Sequence, residues 1–548
     1  MKRKKITAIL LATFMGISAV PTAVWAADSY KETEKTAFAK IIQEIGADYA
    51  KSLAQINEDT VKGNAEIKLS LDDGGKAIVG MLTPVDISWL ADASVYANVN
   101  VNDNTMAESM DVKVNGTKIC TVEYYFDTEN SEIYMRIPEL NEGYIKMNME
   151  QMTETAEAEM EDEGIDSSFT AGMDLADAMD SYFSTLDNLP EADTLTSILT
   201  RYSDIIFDNV ADGENPGTQS VAAGDVSQEL TILEGHVTQK EGIPMFREIL
   251  DTAKTDEELK GLVESWTAAM NDPEYTYDTF IKAIEEMESD LEGDIDQEDT
   301  SGFVLRAWVD GDGEVVGREV LSNDGGEEES LFRYLCTEEG DKRGFSFMVG
   351  SGDESFGLEG SGTLSGDVLN GTYTLTAGEE GAALIDVTDY DTKAVEDGIW
   401  RGTYTVSGVM TEDESGNSYD PFGGMQLIFT TDGKDANNME WNISLASGGV
   451  SLASVFIAGG NEGTDLEVVD FASLTDVYDF SNDADVEKYS QNVNLDAINA
   501  NLTSAGMPEG WLDSVMEAAS GSGTEEFGIE EDQTDMAGDM LEDETPAA

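Results

Sequence analysis

The feature that most constrains this chain is a period-two alternation of apolar and polar residues that recurs across residues 302–466. Trp400, Gly402, Tyr404 and Val406 alternate with Arg401, Thr403 and Thr405, and Met439, Trp441, Ile443 and Leu445 with Glu440, Asn442 and Ser444. Successive side chains of a strand point to opposite faces, so these segments predict strands with one packed face. Turn signals punctuate them at Asp310-Gly311-Asp312-Gly313, Asn323-Asp324-Gly325-Gly326, Asn370-Gly371 and Asp432-Gly433. Such spacing predicts a long antiparallel meander. Gly-Thr-Tyr-Thr occurs at Gly371 and again at Gly402, which fits repeated hairpins in one sheet.

The same period returns at residues 63–149. Ala65-Glu66-Ile67-Lys68-Leu69-Ser70-Leu71 alternates, and Asn115-Gly116 predicts a tight hairpin between 110–114 and 117–122. The second arm switches its apolar face through Val122, Tyr124 and Phe126; a bulge or burial on both faces would each account for this. Ile133 to Ile137 and Tyr144 to Met147 add strands. Helical spacing appears in Phe38, Ile41, Ile42, Ile45, Tyr49, Leu53 and Ile56, and again in Leu195, Ile198, Leu199, Tyr202, Ile205 and Ile206. A lone strand at 229–237 precedes three short helices, the second opened by a Thr255-x-x-Glu258 capping box. Two more short helices are expected near 495–502 and 511–518.

The resulting fold class is α+β: large curved antiparallel β-meander sheets, an N-terminal amphipathic helix, and inserted helical segments packed on one face. Residues 1–26 read as a signal peptide and 27–210 as a helix-plus-sheet domain with a helical cover. Residues 211–225 read as an exposed linker, and 226–518 as a helical insert with the long meander, free to continue the first sheet. Residues 519–548 read as an acidic disordered tail.

The signal follows from Lys2, Arg3, Lys4 and Lys5 before an uncharged apolar run, with Ala26 and Ala27 flanking the expected cut. The run is too short for a stable span, no cysteine stands directly after it at a lipobox position, and no later stretch approaches the roughly 20 apolar residues of a spanning helix. The expected location is therefore secreted or extracellular, with no transmembrane anchor and no lipid attachment. The sequence has 30 Lys+Arg and 113 Asp+Glu, a net charge of −83. Removing residues 1–26 removes four basic and no acidic residues, leaving 26 against 113, or −87. Such a field opposes nucleic acid and other anionic partners. An apolar content of 40% excludes global disorder.

His236 is the only histidine, which excludes histidine-based metal sites and phosphorelays and leaves a single candidate for any triad. It lies inside an expected strand with no Gly-x-Ser-x-Gly nearby, and neither a P-loop nor a dinucleotide fingerprint occurs. No catalytic residue, cofactor or metal site is assigned. Asp310, Asp312 and Glu314, and likewise Asp483, Asp485 and Glu487, resemble the start of a calcium loop, but both lack the later glycine and glutamate of an EF-hand. For the first, a hairpin turn is the better account. Cys120 and Cys336 permit a stapling disulfide or two free buried thiols. Paired carboxylates could hydrolyse glycosides, but 113 acids do not nominate a pair. Trp308, Trp400 and Trp441 could stack on sugars, although their positions on strands favour core packing.

The N-terminal helix followed by a meander with Met110-Asp111-Val112 and Glu132-Ile133-Tyr134-Met135 resembles periplasmic lipoprotein carriers and related lipid-binding envelope lipoproteins. That resemblance covers residues 30–205 and implies a curved sheet and covering helices around an apolar cavity. The whole chain is similar to uncharacterised secreted proteins of anaerobic Gram-positive bacteria that carry a domain of unknown function. The residues concerned are Lys254-Thr255-Asp256-Glu257-Glu258-Leu259-Lys260 and Asn370-Gly371-Thr372-Tyr373; this likeness implies no activity. The expected function is a secreted, non-enzymatic binding protein that clasps an apolar or amphipathic small molecule or an envelope component. A cell-surface or matrix interaction protein and a carboxylate-based glycoside hydrolase are the alternatives.

Overall fold

The two alternating regions form one sheet, because Thr60–Leu71 of the first pairs with Val450–Gly460 of the second. The computed structural model describes residues 22–23, 29–56, 60–82, 86–102, 105–127, 130–148, 189–270, 276–291 and 301–511, except 325, 353–354, 379, 413–417, 421, 462, 464–465 and 467–468. The expected cleavage residues Ala26 and Ala27, and the acidic tail, lie outside the described residues.

The N-terminal part supplies β1 (Thr22–Ala23), β2 (Thr60–Leu71), β3 (Asp92–Asn102), β4 (Thr105–Val114), β5 (Thr117–Asp127), β6 (Glu132–Ile137) and β7 (Asn141–Asn148). Before the helical insert come β8 (Ala211–Asp212), β9 (Gly217–Ala223) and β10 (Val226–Thr238). The meander runs through β11 (Gly302–Val309), β12 (Glu314–Asp324), β13 (Glu327–Glu339), β14 (Lys342–Val349), β15 (Phe356–Ser365) and β16 (Val368–Ala377). It continues through β17 (Glu380–Asp391), β18 (Arg401–Gly408), β19 (Met425–Asp432), β20 (Met439–Ser447) and β21 (Val450–Gly460), and β22 (Val477–Asp479) comes last. The helices are α1 (Tyr30–Ile56), α2 (Asp73–Leu82), α3 (Ala192–Asn209), α4 (Gln239–Ala253), α5 (Glu257–Met270), α6 (Tyr277–Leu291), α7 (Thr392–Glu396), α8 (Asp483–Gln491) and α9 (Asp496–Ser504).

The strands form one 22-stranded sheet. Its order starts β22-β7-β6-β5-β4-β3-β2, crosses to β21-β20-β19-β18, and then descends through the meander from β17 to β10 and β9. Every pairing is antiparallel except that of β22 with β7. The sheet stays open: the edge strands β22 and β9 do not meet. The β9–β10 hairpin tip instead folds back on β15, where Gly224 N–H donates to Glu359 Oε1 at 3.0 Å. A Cβ on Gly224 would lie 2.4 Å from Gly360 O, and its φ of +55° also favours glycine.

Helices cover one face of the sheet at its two ends. At the β10–β14 end, α1, α3, α4 and α6 bury Phe38, Phe207, Met245 and Ile284 against Leu305, Val320 and Phe332. Phe38 meets Phe207 edge-on, with ring centroids 5.0 Å apart. At the other end Tyr489 of α8 packs on Tyr478 of β22 and Ile145 of β7. A second, smaller core lies on the opposite face, where Trp308 meets Leu230, Ile232 and Leu335.

Several expectations are corrected. The expected linker at 211–225 contains two strands, because β8 and β9 pair with β10; Thr218, Gln219 and Ser220 alternate poorly but make ladder hydrogen bonds. Residues 73–82, inside a stretch expected to be strands, form α2, which packs against β21. Thr255 is not the cap of α5. Asp256 Oδ1 accepts the N–H groups of Glu258 and Leu259, both at 3.1 Å, so the helix starts one residue later. The capping box belongs to α4 instead, from Thr238 and Glu241. The expectation of a signal at residues 1–26 is not among those corrected; Thr22 and Ala23 pair with Val315 and Glu314. The face switch on β5 comes from a bulge: Val112 opposes Cys120 and Lys113 opposes Lys118, leaving Ile119 as the extra residue.

Candidate functional site

Residues directly opposed in an antiparallel pair lie on the same face, so the registers trace one face from end to end. One row runs Phe345, Gly360, Tyr373, Ile385, Val406, Leu427, Leu445, Ala453. The next runs Val387, Tyr404, Phe429, Ile443, Val455, Leu69, Ala93, Val114. A third runs Trp441, Ile457, Ile67, Val95, Val112, Cys120. These rows continue the face that α1, α3, α4 and α6 cover, since Phe345 opposes Cys336 and Phe347 opposes Tyr334. They also lead to the face that α8 covers, through Tyr124, Met135 and Ile145 to Tyr478.

Between those covered ends the apolar face is open. Ile67 is 55% exposed, Leu69 47%, Trp441 47% and Phe356 48%, and Val95, Val349, Met425, Leu427 and Leu445 are exposed too. The opposite face is polar along the same strands: Thr403, Thr430, Asn442, Phe456, Lys68, Ser94 and Lys113 form one row. The aromatic of this row, Phe456, lies under the Lys68 ammonium, 5.4 Å from the ring centroid. The arrangement is inverted relative to an ordinary solvated sheet, with its large apolar side chains facing water over many strands. Tyr404 and Tyr390 line the apolar face edge to face at 6.2 Å, and burial pushes the Tyr404 phenol up to about 12.

On β4 this apolar face carries one carboxylate. Glu108 of β4 opposes Val99 on β3 and Tyr124 on β5. It is half-buried, and burial raises its carboxyl above the usual carboxylate range.

The residues singled out from sequence lie elsewhere. Asp310 Oδ1 accepts the N–H groups of Asp312 at 2.9 Å and Glu314 at 2.8 Å, which builds the β11–β12 turn. Asp483 and Asp485 sit in the first turn of α8, capped by Asn482, where carboxylates suit the helix dipole. Glu487 accepts from Gln491 one turn on. Among the described residues no group of three or more His, Cys, Asp or Glu is placed to hold a metal ion. Cys120 and Cys336 are free thiols on β5 and β13. Twelve strand-to-strand steps separate those strands, whereas a disulfide needs Cα atoms within about 7 Å. His236 lies within β10, between Ala211 and Val304. Trp308 is a core residue at 4% exposure, as its strand position predicts, but Trp400 and Trp441 are about half exposed.

The exposed residues and Glu108 were not separable from core positions by sequence. Alternation shows which side chains share a face, and nothing in it shows how exposed each of them is. No family model matches the chain, and no curated protein is similar to it.

Proposed function

We propose that this is an exported, non-enzymatic binding protein whose open apolar sheet face takes up an apolar or amphipathic ligand. One observation carries the reading: a single apolar face continues out of two helix-covered cores, with Ile67, Leu69, Trp441 and Leu445 left in water between them. Soluble monomers rarely leave contiguous apolar patches larger than a few hundred Å² without a use for them. Export is supported by Lys2 to Lys5 and the uncharged run that follows.

The test is displacement of a neutral apolar fluorophore, N-phenyl-1-naphthylamine, from the purified chain, with and without Ile67→Glu and Trp441→Lys. These two side chains share a cross-strand row and are half exposed, so the variants should fold and lose the probe. A wild-type chain that leaves the probe unbound would overturn the reading. N-terminal sequencing of protein from the culture medium, expected to begin at Ala27, tests export separately.

A further inference from the structure

Glu108 interrupts an otherwise apolar side of β4. Met106, Met110, Val112 and Val114 share its face, with Val99 and Tyr124 on either side. Its half-buried carboxylate has neither an ion pair nor a hydrogen bond among the described residues. The neighbouring carboxylates of the polar face are treated differently. Asp111 meets Lys118 at 2.7 Å, Glu123 meets Arg136 at 2.5 Å and Glu132 meets Lys146 at 2.5 Å. An ionised group taken partly out of water without a partner is unfavourable, and a valine or threonine at this position would suit the strand better. Bringing a cation to Glu108 removes that penalty.

We propose that Glu108 receives the cationic head of a single-headed amphiphile, an alkylammonium in chemical class, whose apolar body lies along the open face. The inference rests on the apolar-ligand reading above and names its ligand class. Charge complementarity supports it at two ranges. Locally, one carboxylate stands on an apolar surface, which matches one cationic head and not the several charges of a basic peptide. At long range, 113 acidic against 30 basic residues draw cations in and repel both anionic amphiphiles and a second copy of this chain.

The experiment titrates the full-length mature chain with dodecyltrimethylammonium, dodecyl maltoside and dodecyl sulfate, each below its micelle threshold, by displacement of N-phenyl-1-naphthylamine. Salt near 0.3 M screens the general field and leaves the contact at Glu108. The wild type should bind the cationic probe about tenfold more tightly than the neutral one. Glu108→Gln should erase that preference and leave the neutral affinity unchanged. Glu108→Asp should keep it in part. Glu66→Gln, on the opposite face of β2, should change nothing, and melting curves of all three variants check folding. A cationic preference that survives Glu108→Gln, or equal binding of cationic and neutral probes by the wild type, overturns the assignment of Glu108 while leaving apolar binding intact. Failure of every amphiphile to bind overturns both.

Discussion

Arg318 and Glu34 form an ion pair sealed from solvent. Arg318 Nε lies 3.1 Å from both carboxylate oxygens of Glu34, and the two side chains are 1% and 0% exposed. Arg318 projects from the apolar face of β12, Glu34 comes from α1, and the guanidinium also lies over the Phe38 ring at 5.6 Å. Burial pushes the Glu34 carboxyl up, opposed by the adjacent Arg318 charge. This pair fixes where α1 sits, and so where the helical cover of the sheet begins.

Removing one partner leaves the other buried and uncompensated. Glu34→Gln should destabilise the fold by about 3–5 kcal/mol in denaturant titrations. The double replacement Glu34→Met with Arg318→Met should recover most of that loss, since an apolar pair fills the same core. A double variant no more stable than the single one would contradict this account.

Asp256 gives a pH signature of opposite origin. Burial alone would raise its carboxyl, but the Leu259 N–H, Arg201 and Tyr202 hold it below the ordinary aspartate value. A depressed folded-state pKa contributes stability above the unfolded value, and that stability is lost as pH falls through the folded one. Asp256→Asn should therefore cost about 1–2 kcal/mol at pH 7. The gap between wild type and variant should narrow as pH falls below the ordinary aspartate range, in paired denaturation curves at neutral and acid pH.

Asn115 ties the end of α9 to the β4–β5 hairpin. In the left-handed region at φ +48°, its side chain accepts from Ala91 and Asp92 N–H and donates to Trp89 O at 2.9 Å and Ala505 O at 2.6 Å. Asn115→Ala should lose about 2 kcal/mol. Limited proteolysis should then cut near α9 sooner than in the wild type; an unchanged cleavage pattern would argue that α9 is held by its packing on β5 alone.

The two cysteines should behave as slow free thiols. Burial raises the thiol pKa of both Cys120 and Cys336, which lowers the thiolate fraction that reacts. Without reductant, a thiol reagent should titrate two thiols in denaturant and react much more slowly with the folded chain. Finding no free thiol in denaturant would mean the two are bonded.

The sequence determined most strands of the two alternating regions, because a period of two needs only local information. Asn115-Gly116 and Asp310-Gly311-Asp312-Gly313 marked real hairpin turns, and the one-sided alternation at Trp441, Ile443 and Leu445 named a real apolar face. The sequence also fixed the charge of −83 and the poverty of histidine. Other features depended on contacts between residues far apart in the chain. The β2–β21 pairing that makes one sheet of two regions is such a contact, and no local signal carries it. Glu34 and Arg318 were indistinguishable from surface charges until α1 was laid on β12. The sharpest case is the apolar face itself: Phe332 is 1% exposed and Ile67 55%, though both are apolar strand residues on the same face of one sheet. Alternation orients a side chain relative to its own strand, whereas burial depends on what packs above it, and only the tertiary structure placed the larger helices at the two ends and left Ile67, Leu69 and Trp441 exposed between them.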